Sequence, residues 1–130
     1  MHLQESGEMY LETILVLSQH RGVVRSVDIA EHMGYSKPSV SRAVGLLKSA
    51  DYINVDKDGF ITLTEAGKEI ASKIYDRHQV ISQLLMAIGV DEETAIDDAC
   101  KIEHDISDKS FEAVKNFARS RGIELVEPTV

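Results

Sequence analysis

A single cysteine, Cys100, is all the thiol this sequence offers, which excludes an intramolecular disulfide and a four-cysteine zinc site. A reducing cytoplasm is the natural compartment for such a chain. No apolar run approaches the roughly 18 residues that cross a bilayer. The N-terminus, Met1-His2-Leu3-Gln4-Glu5-Ser6-Gly7-Glu8, has no basic stretch, so neither a membrane partner nor a secretory leader is expected. A glycine-rich phosphate loop, a His-Glu-x-x-His pair and a nucleophile elbow are all missing. An enzyme with catalytic residues or an organic cofactor site therefore finds no support. Repeats, low-complexity runs and flexible linkers are missing too.

Positive charge is also scarce, since the net charge is −8, and that argues at first against nucleic acid. The distribution reverses the argument. Residues 1–78 hold 9 Lys and Arg against 11 Asp and Glu, a net of −2, whereas residues 79–130 hold 5 against 11, a net of −6. Between Ser36 and Lys48 stand Lys37, Arg42 and Lys48 with no acid, a local cationic stripe that suits phosphate.

The 130 residues are 43% apolar, enough for a packed core. Tyr10, Leu11, Ile14, Leu15 and Leu17 recur at helical spacing over residues 7–20. Ser26 is the expected N-cap of a short helix over residues 27–33, closed by Gly34. Pro38 fits the first turn of the next helix, whose inward stripe is Val40, Ala43, Val44 and Leu47. Residues 52–55 and 60–63 read as strands around Asp56-Lys57-Asp58-Gly59, a hairpin turn. Thr64 then caps a helix of about 24 residues with the stripe Ile70, Ile74, His78, Ile81, Leu85 and Ile88, ended by Gly89. Asp91 caps another helix running to about Asp105, and Ser107 caps a last one carrying Phe111, Val114, Phe117 and Ala118. The spacing predicts a mainly α fold. An N-terminal winged helix-turn-helix with a two-stranded wing spans residues 1–63, a long connecting helix and metal-binding and dimerisation helices span 64–120, and 121–130 form a tail. Two short helices bury too little alone, so a second copy of the chain is the expected partner.

The winged-helix order singles out Ser36, Lys37, Ser39, Ser41 and Arg42, hydroxyls and cations on the outer face of a helix whose inner face is apolar. That pattern suits base edges and phosphates of double-stranded DNA. Taken singly, each cation reads more readily as a solvated surface charge than as a base contact, and a winged helix also serves protein contacts. Cys100, Glu103 and His104 stand at i, i+3 and i+4, within an arc of about 100° on one helix face. Thiolate, carboxylate and imidazole together suit a divalent transition metal. His78 on its apolar stripe is a further donor, and Met9 and Glu12, at i and i+3, can close the site. The bland alternatives are a small buried cysteine and a hydrogen-bonded core histidine. His2, His20 and His32 fit no donor pattern and are expected at the surface.

Glu8-Met9-Tyr10-Leu11, Asp28-Ile29-Ala30-Glu31, Leu63-Thr64-Glu65-Ala66-Gly67 and Asp98-Ala99-Cys100-Lys101-Ile102-Glu103-His104 resemble, in order and spacing, segments of the diphtheria-toxin-repressor family of iron- and manganese-dependent regulators. The resemblance covers Gly7 to about Ala118. It implies a metal-dependent DNA-binding repressor that acts as a homodimer on a palindromic operator and controls metal homeostasis genes. Met9, Cys100, Glu103 and His104 match the principal site of iron-type members, and Ser36, Pro38 and Arg42 match DNA-touching positions. Ser82 and Ile96 stand where iron-type ancillary ligands do. Glu12 and His78 match ligand positions of manganese-type members, which carry acids where this chain has Met9 and Cys100. The implied site is a hybrid for Fe(II) or Mn(II), tilted toward iron by sulfur. The family's larger members add an SH3-like third domain, which this two-domain pattern lacks. A winged-helix regulator answering to a non-metal ligand or a protein partner is the alternative.

Overall fold

A computed structural model describes residues 5–123. Along them run α1 (Glu5–Arg21), α2 (Ser26–Met33), α3 (Lys37–Ser49), β1 (Ile53–Val55), β2 (Ile61–Leu63), α4 (Glu65–Ala87), α5 (Glu92–Ile102) and α6 (Asp108–Ser120). This is the mainly helical, winged-helix order that the sequence predicts. The chain divides into two compact units, one ending at Ser72 and the other beginning at Lys73, within α4. His2 and residues 124–130 of the expected tail lie outside the described residues.

In the first unit, α1 carries Glu5 and Glu8 in its first turn and His20 and Arg21 in its last, each sign matching the helix dipole there. Its buried residues include Tyr10, Leu11, Ile14, Leu15 and Leu17, the whole apolar stripe. α2 starts one residue earlier than a Ser26 cap requires. Arg25 takes the cap position, its amide donating to Asp28 Oδ2 at 2.9 Å. Two contacts account for the shift: the Arg25 guanidinium lies 4.4 Å from the Phe60 ring centroid, and Asp28 also pairs with Arg21 at 2.9 Å. Gly34, at φ 71°, supplies the left-handed residue that ends α2.

Ser36 caps α3 by accepting the Ser39 amide at 3.3 Å, and Pro38 sits in the first turn. Val40, Val44 and Leu47 are buried beneath the helix, while Ala43 is half-buried. β1 and β2 pair antiparallel, Ile53 opposite Leu63 and Val55 opposite Ile61. Each is one residue shorter at its start than the β-prone pattern, because Tyr52 donates to the Leu47 carbonyl and Phe60 to Asp56 Oδ1. Ile61 donates to the Val24 carbonyl at 2.8 Å, fastening the wing to the loop after α1. Thr64 Oγ1 accepts the Gly67 amide at 3.1 Å and donates to the Asp51 carbonyl at 2.8 Å, so the cap of α4 also holds the end of α3. Gly67 has no room for a side chain: a Cβ there would collide with the Tyr52 carbonyl oxygen.

In the second unit the buried face of α4 is rotated from the expected stripe. Ala71, ahead of the unit boundary, and Ile74, Arg77, Val80 and Ile81 are buried, whereas Ile70 and Leu85 are half-buried and Ile88 is 70% exposed. α5 is capped by Asp91, which accepts the Thr94 amide at 3.0 Å. It stops at Ile102 instead of continuing to Asp105, and residues 103–105 form a turn. Arg77 meets the carbonyls freed there. Its Nη1 donates to those of Glu103 at 3.1 Å and Ile106 at 2.7 Å, acceptors without a helical donor beyond the end of α5. Its Nη2 donates to Asp108 Oδ1 at 2.5 Å, at the start of α6. Ser107 caps α6 by accepting the Ser110 amide at 3.1 Å. Phe111 and Ala118 are buried, Val114 is half-buried and Phe117 is exposed.

Candidate metal centre and DNA-facing helix

His78 projects from α4, Cys100 from the last turn of α5 and Glu103 from the turn that follows. One donor atom from each lies within 4.8 Å of the other two. His78 Nδ1 is 2.9 Å from Glu103 Oε2 and 3.7 Å from Cys100 Sγ. The Glu103 side chain is only 1% exposed, and its second oxygen, Oε1, lies 3.4 Å from His104 Nε2. A carboxylate so removed from water is stable only when charge or hydrogen bonds compensate it. Here the His78 imidazole supplies that compensation at 2.9 Å. His78 is raised to about 10 by its hydrogen bond with Cys100 and next by that with Glu103, with burial opposing. In the metal-free protein it is therefore the cation that the thiol and the carboxylate face.

This donor set fits a divalent transition metal. Nitrogen, sulfur and oxygen donors converge from three points of the chain, and the site already tolerates positive charge at its centre. Helical spacing predicts Cys100, Glu103 and His104 on one helix. The structure instead carries Glu103 and His104 beyond the helix end, and it brings His78 into the cluster as a close neighbour of both Cys100 and Glu103. Met9 and Glu12 lie half-buried on α1, one turn apart, in the first unit. Ser82 is buried and donates to the Gln79 carbonyl, and Ile96 is exposed on α5.

On α3, Ser36, Lys37, Pro38, Ser39, Ser41 and Arg42 are all exposed. Ser36 and Ser39 hydroxyls bond each other at 2.9 Å at the helix start. Lys37 and Ser41 line a shallow depression with Ser26 and Val27 from the first turn of α2. Ser26, expected as a cap, is here the first residue of α2. His20 and His32 are exposed, away from any donor cluster among the described residues. No helix of the described residues is long and apolar enough to cross a membrane.

A winged helix joined to a mixed-donor cluster defines a class, the metal-dependent DNA-binding regulators, and comparison with known proteins narrows it. Residues 2–60 match the N-terminal DNA-binding domain of iron-dependent repressors, and residues 64–121 match their metal-binding and dimerisation domain. The HTH-type transcriptional regulator MntR of Bacillus pumilus is 37% identical over 114 residues, 88% of this chain and 79% of that one. An uncharacterised HTH-type transcriptional regulator of Methanocaldococcus jannaschii is 35% identical over 117 residues, 88% of this chain and 94% of that one. The solved manganese regulator SloR superposes with a TM-score of 0.78 at 31% identity, covering 92% of this chain. This chain spans 55% of the length of SloR. The protein belongs to the diphtheria-toxin-repressor family of metal-dependent transcriptional repressors. That family consists of regulators, not enzymes.

Proposed function

We propose that this protein represses transcription by binding operator DNA as a homodimer when Fe(II) or Mn(II) is held by His78, Cys100 and Glu103, with Met9, Glu12 and His104 as further donors. Residues 1–63 are the reading head, residues 64–120 the metal-binding and dimerising part. The DNA-facing residues are Ser36, Lys37, Pro38, Ser39, Ser41 and Arg42. The observation that carries the reading is the convergence of His78, Cys100 and Glu103 within 4.8 Å. Exposed Met86, Ile88 and Phe117 in the second unit are apolar area that a second copy would cover, which supports the dimer.

A bound divalent ion supplies the charge that lets a thiolate and carboxylates stand together. Imidazole and thiol must first shed their protons, so metal affinity falls with acid. Metal promotes repression only to the extent that it binds the DNA-competent arrangement better than the others. Sulfur at Cys100 and Met9 favours Fe(II). The likeness to a manganese regulator, with Glu12 and His78 among the donors, favours Mn(II).

The test uses an operator selected from random DNA in the presence of metal. Glu103→Ala or His78→Ala is expected to abolish metal-stimulated binding, read by fluorescence anisotropy, while leaving a folded protein. Variants that respond to metal as the wild type does would remove these residues from the site. For metal identity, Met9→Asp with Cys100→Glu is expected to shift activation toward Mn(II) relative to Fe(II) at matched free-metal concentrations under anaerobic conditions. A ratio unmoved by that swap would assign the selectivity to Glu12 and His78.

A further inference from the structure

Arg77 is the one residue of α4 whose charge is buried, its side chain only 6% exposed, immediately before His78. Burying a guanidinium is costly unless its donors are used. Here Nη1 is committed to two backbone carbonyls, Glu103 at 3.1 Å and Ile106 at 2.7 Å, and Nη2 to Asp108 Oδ1 at 2.5 Å, while the buried Nε has no partner among the described residues. The Phe111 ring centroid lies 5.6 Å away. Asp108 is held in turn by Lys73 at 2.8 Å. One helix therefore addresses Glu103 twice: His78 meets its carboxylate and Arg77 its carbonyl. In the turn that follows α5 the Ile102 carbonyl accepts the Asp105 and Ile106 amides at 3.0 and 3.1 Å, while the Glu103 and Ile106 carbonyls are met by Arg77, and this turn carries both Glu103 and His104.

We propose that Arg77 is a positioning residue of the metal centre: by gripping the carbonyls of Glu103 and Ile106, it sets where the Glu103 and His104 donors stand relative to His78 and Cys100. This rests on the reading of the metal centre given above. The grip requires the planar fork of arginine, because an ammonium cannot reach both carbonyls and Asp108 in one plane. Partners that orient ligands from behind are commonly worth 10–100-fold in metal affinity.

The experiment is titration of Co(II) into the full chain, wild type, Arg77→Lys and Asp108→Asn. It is followed by the thiolate-to-cobalt charge-transfer band and the ligand-field bands, alongside thermal unfolding of each metal-free protein. The wild type is expected to develop the thiolate band. Arg77→Lys is expected to remain folded at the assay temperature, bind Co(II) about 10–100-fold more weakly, and show altered ligand-field bands at saturation. Asp108→Asn, which loosens one tether of the guanidinium at an exposed carboxylate, is expected to weaken binding in the same direction by less. A merely structural role would lower the melting temperature and leave the saturated spectrum unchanged, and that result overturns the proposal while the metal centre stands. If Arg77→Lys unfolds, Asp108→Asn decides, and wild-type affinity and spectrum there overturn the proposal. A wild type without the thiolate band overturns the metal centre and the positioning role together.

Discussion

Arg42 and Glu103 face opposite demands. Arg42 is a long donor exposed on α3, whereas Glu103 is a carboxylate almost without solvent. Replacing Arg42 by Ala is expected to weaken operator binding and leave metal affinity unchanged. Contact with a base edge predicts a loss of about 1–3 kcal/mol confined to one operator position. Contact with a phosphate predicts a uniform loss and a shallower salt dependence. Anisotropy titrations at several salt concentrations separate the two, and unchanged binding would take Arg42 out of the interface. The donor types at 100 and 103 were legible because helical spacing survives to the end of α5, and His78 because a histidine interrupts an apolar stripe. Arg77 was not legible. It stands three residues after buried Ile74 and four before buried Ile81, so its position on the inner face was available, but an arginine beside Asp76 reads as surface.

Element boundaries show what the sequence can encode locally and what it cannot. Thr64, Asp91 and Ser107 were legible as caps because the accepting oxygen and the amides it serves lie within three residues. The end of α5 was not, since Ile102-Glu103-His104 contains no glycine or proline and the carbonyls freed there are met by Arg77, some 26 residues away in sequence. The start of α2 moved for a similar reason, with Arg25 drawn to Phe60 on the wing. Gly67 ties α4 to the residue before β1 with no space to spare. Gly67→Ala is expected to cost about 1–3 kcal/mol, since the obstacle is backbone and not a movable side chain. Chemical denaturation measures it, and a neutral result would show that α4 can shift away from Tyr52.

Acid should loosen α6 for a definable reason. Lys73 first, and Arg77 with it, hold the Asp108 carboxyl below the usual carboxylate range. A group depressed in the folded state stabilises it above its unfolded value, and that contribution disappears as pH falls through the depressed folded value. Thermal stability is therefore expected to decline below about pH 4, with faster hydrogen exchange in α6. Asp108→Asn should flatten that decline, and an equally steep one in the variant would place its origin in other carboxylates.

At the scale of the whole molecule, the proposed function couples a donor cluster in one unit to the DNA-binding domain in the other through a difference in free energy. The distribution of charge made this division legible: the acid is concentrated after residue 78, while α3 has cations and no acid. Coupling between two sites is reciprocal, so if metal tightens the hold on DNA, DNA must tighten the hold on metal by the same factor. The most direct measurement is the Mn(II) affinity of the protein with and without its selected operator, by competition with a fluorescent chelator. The expected result is a tightening of about 5–150-fold, equal to the factor by which Mn(II) improves operator binding and absent from Glu103→Ala. Equal Mn(II) affinity with and without operator would contradict metal-driven repression, however tightly either ligand binds.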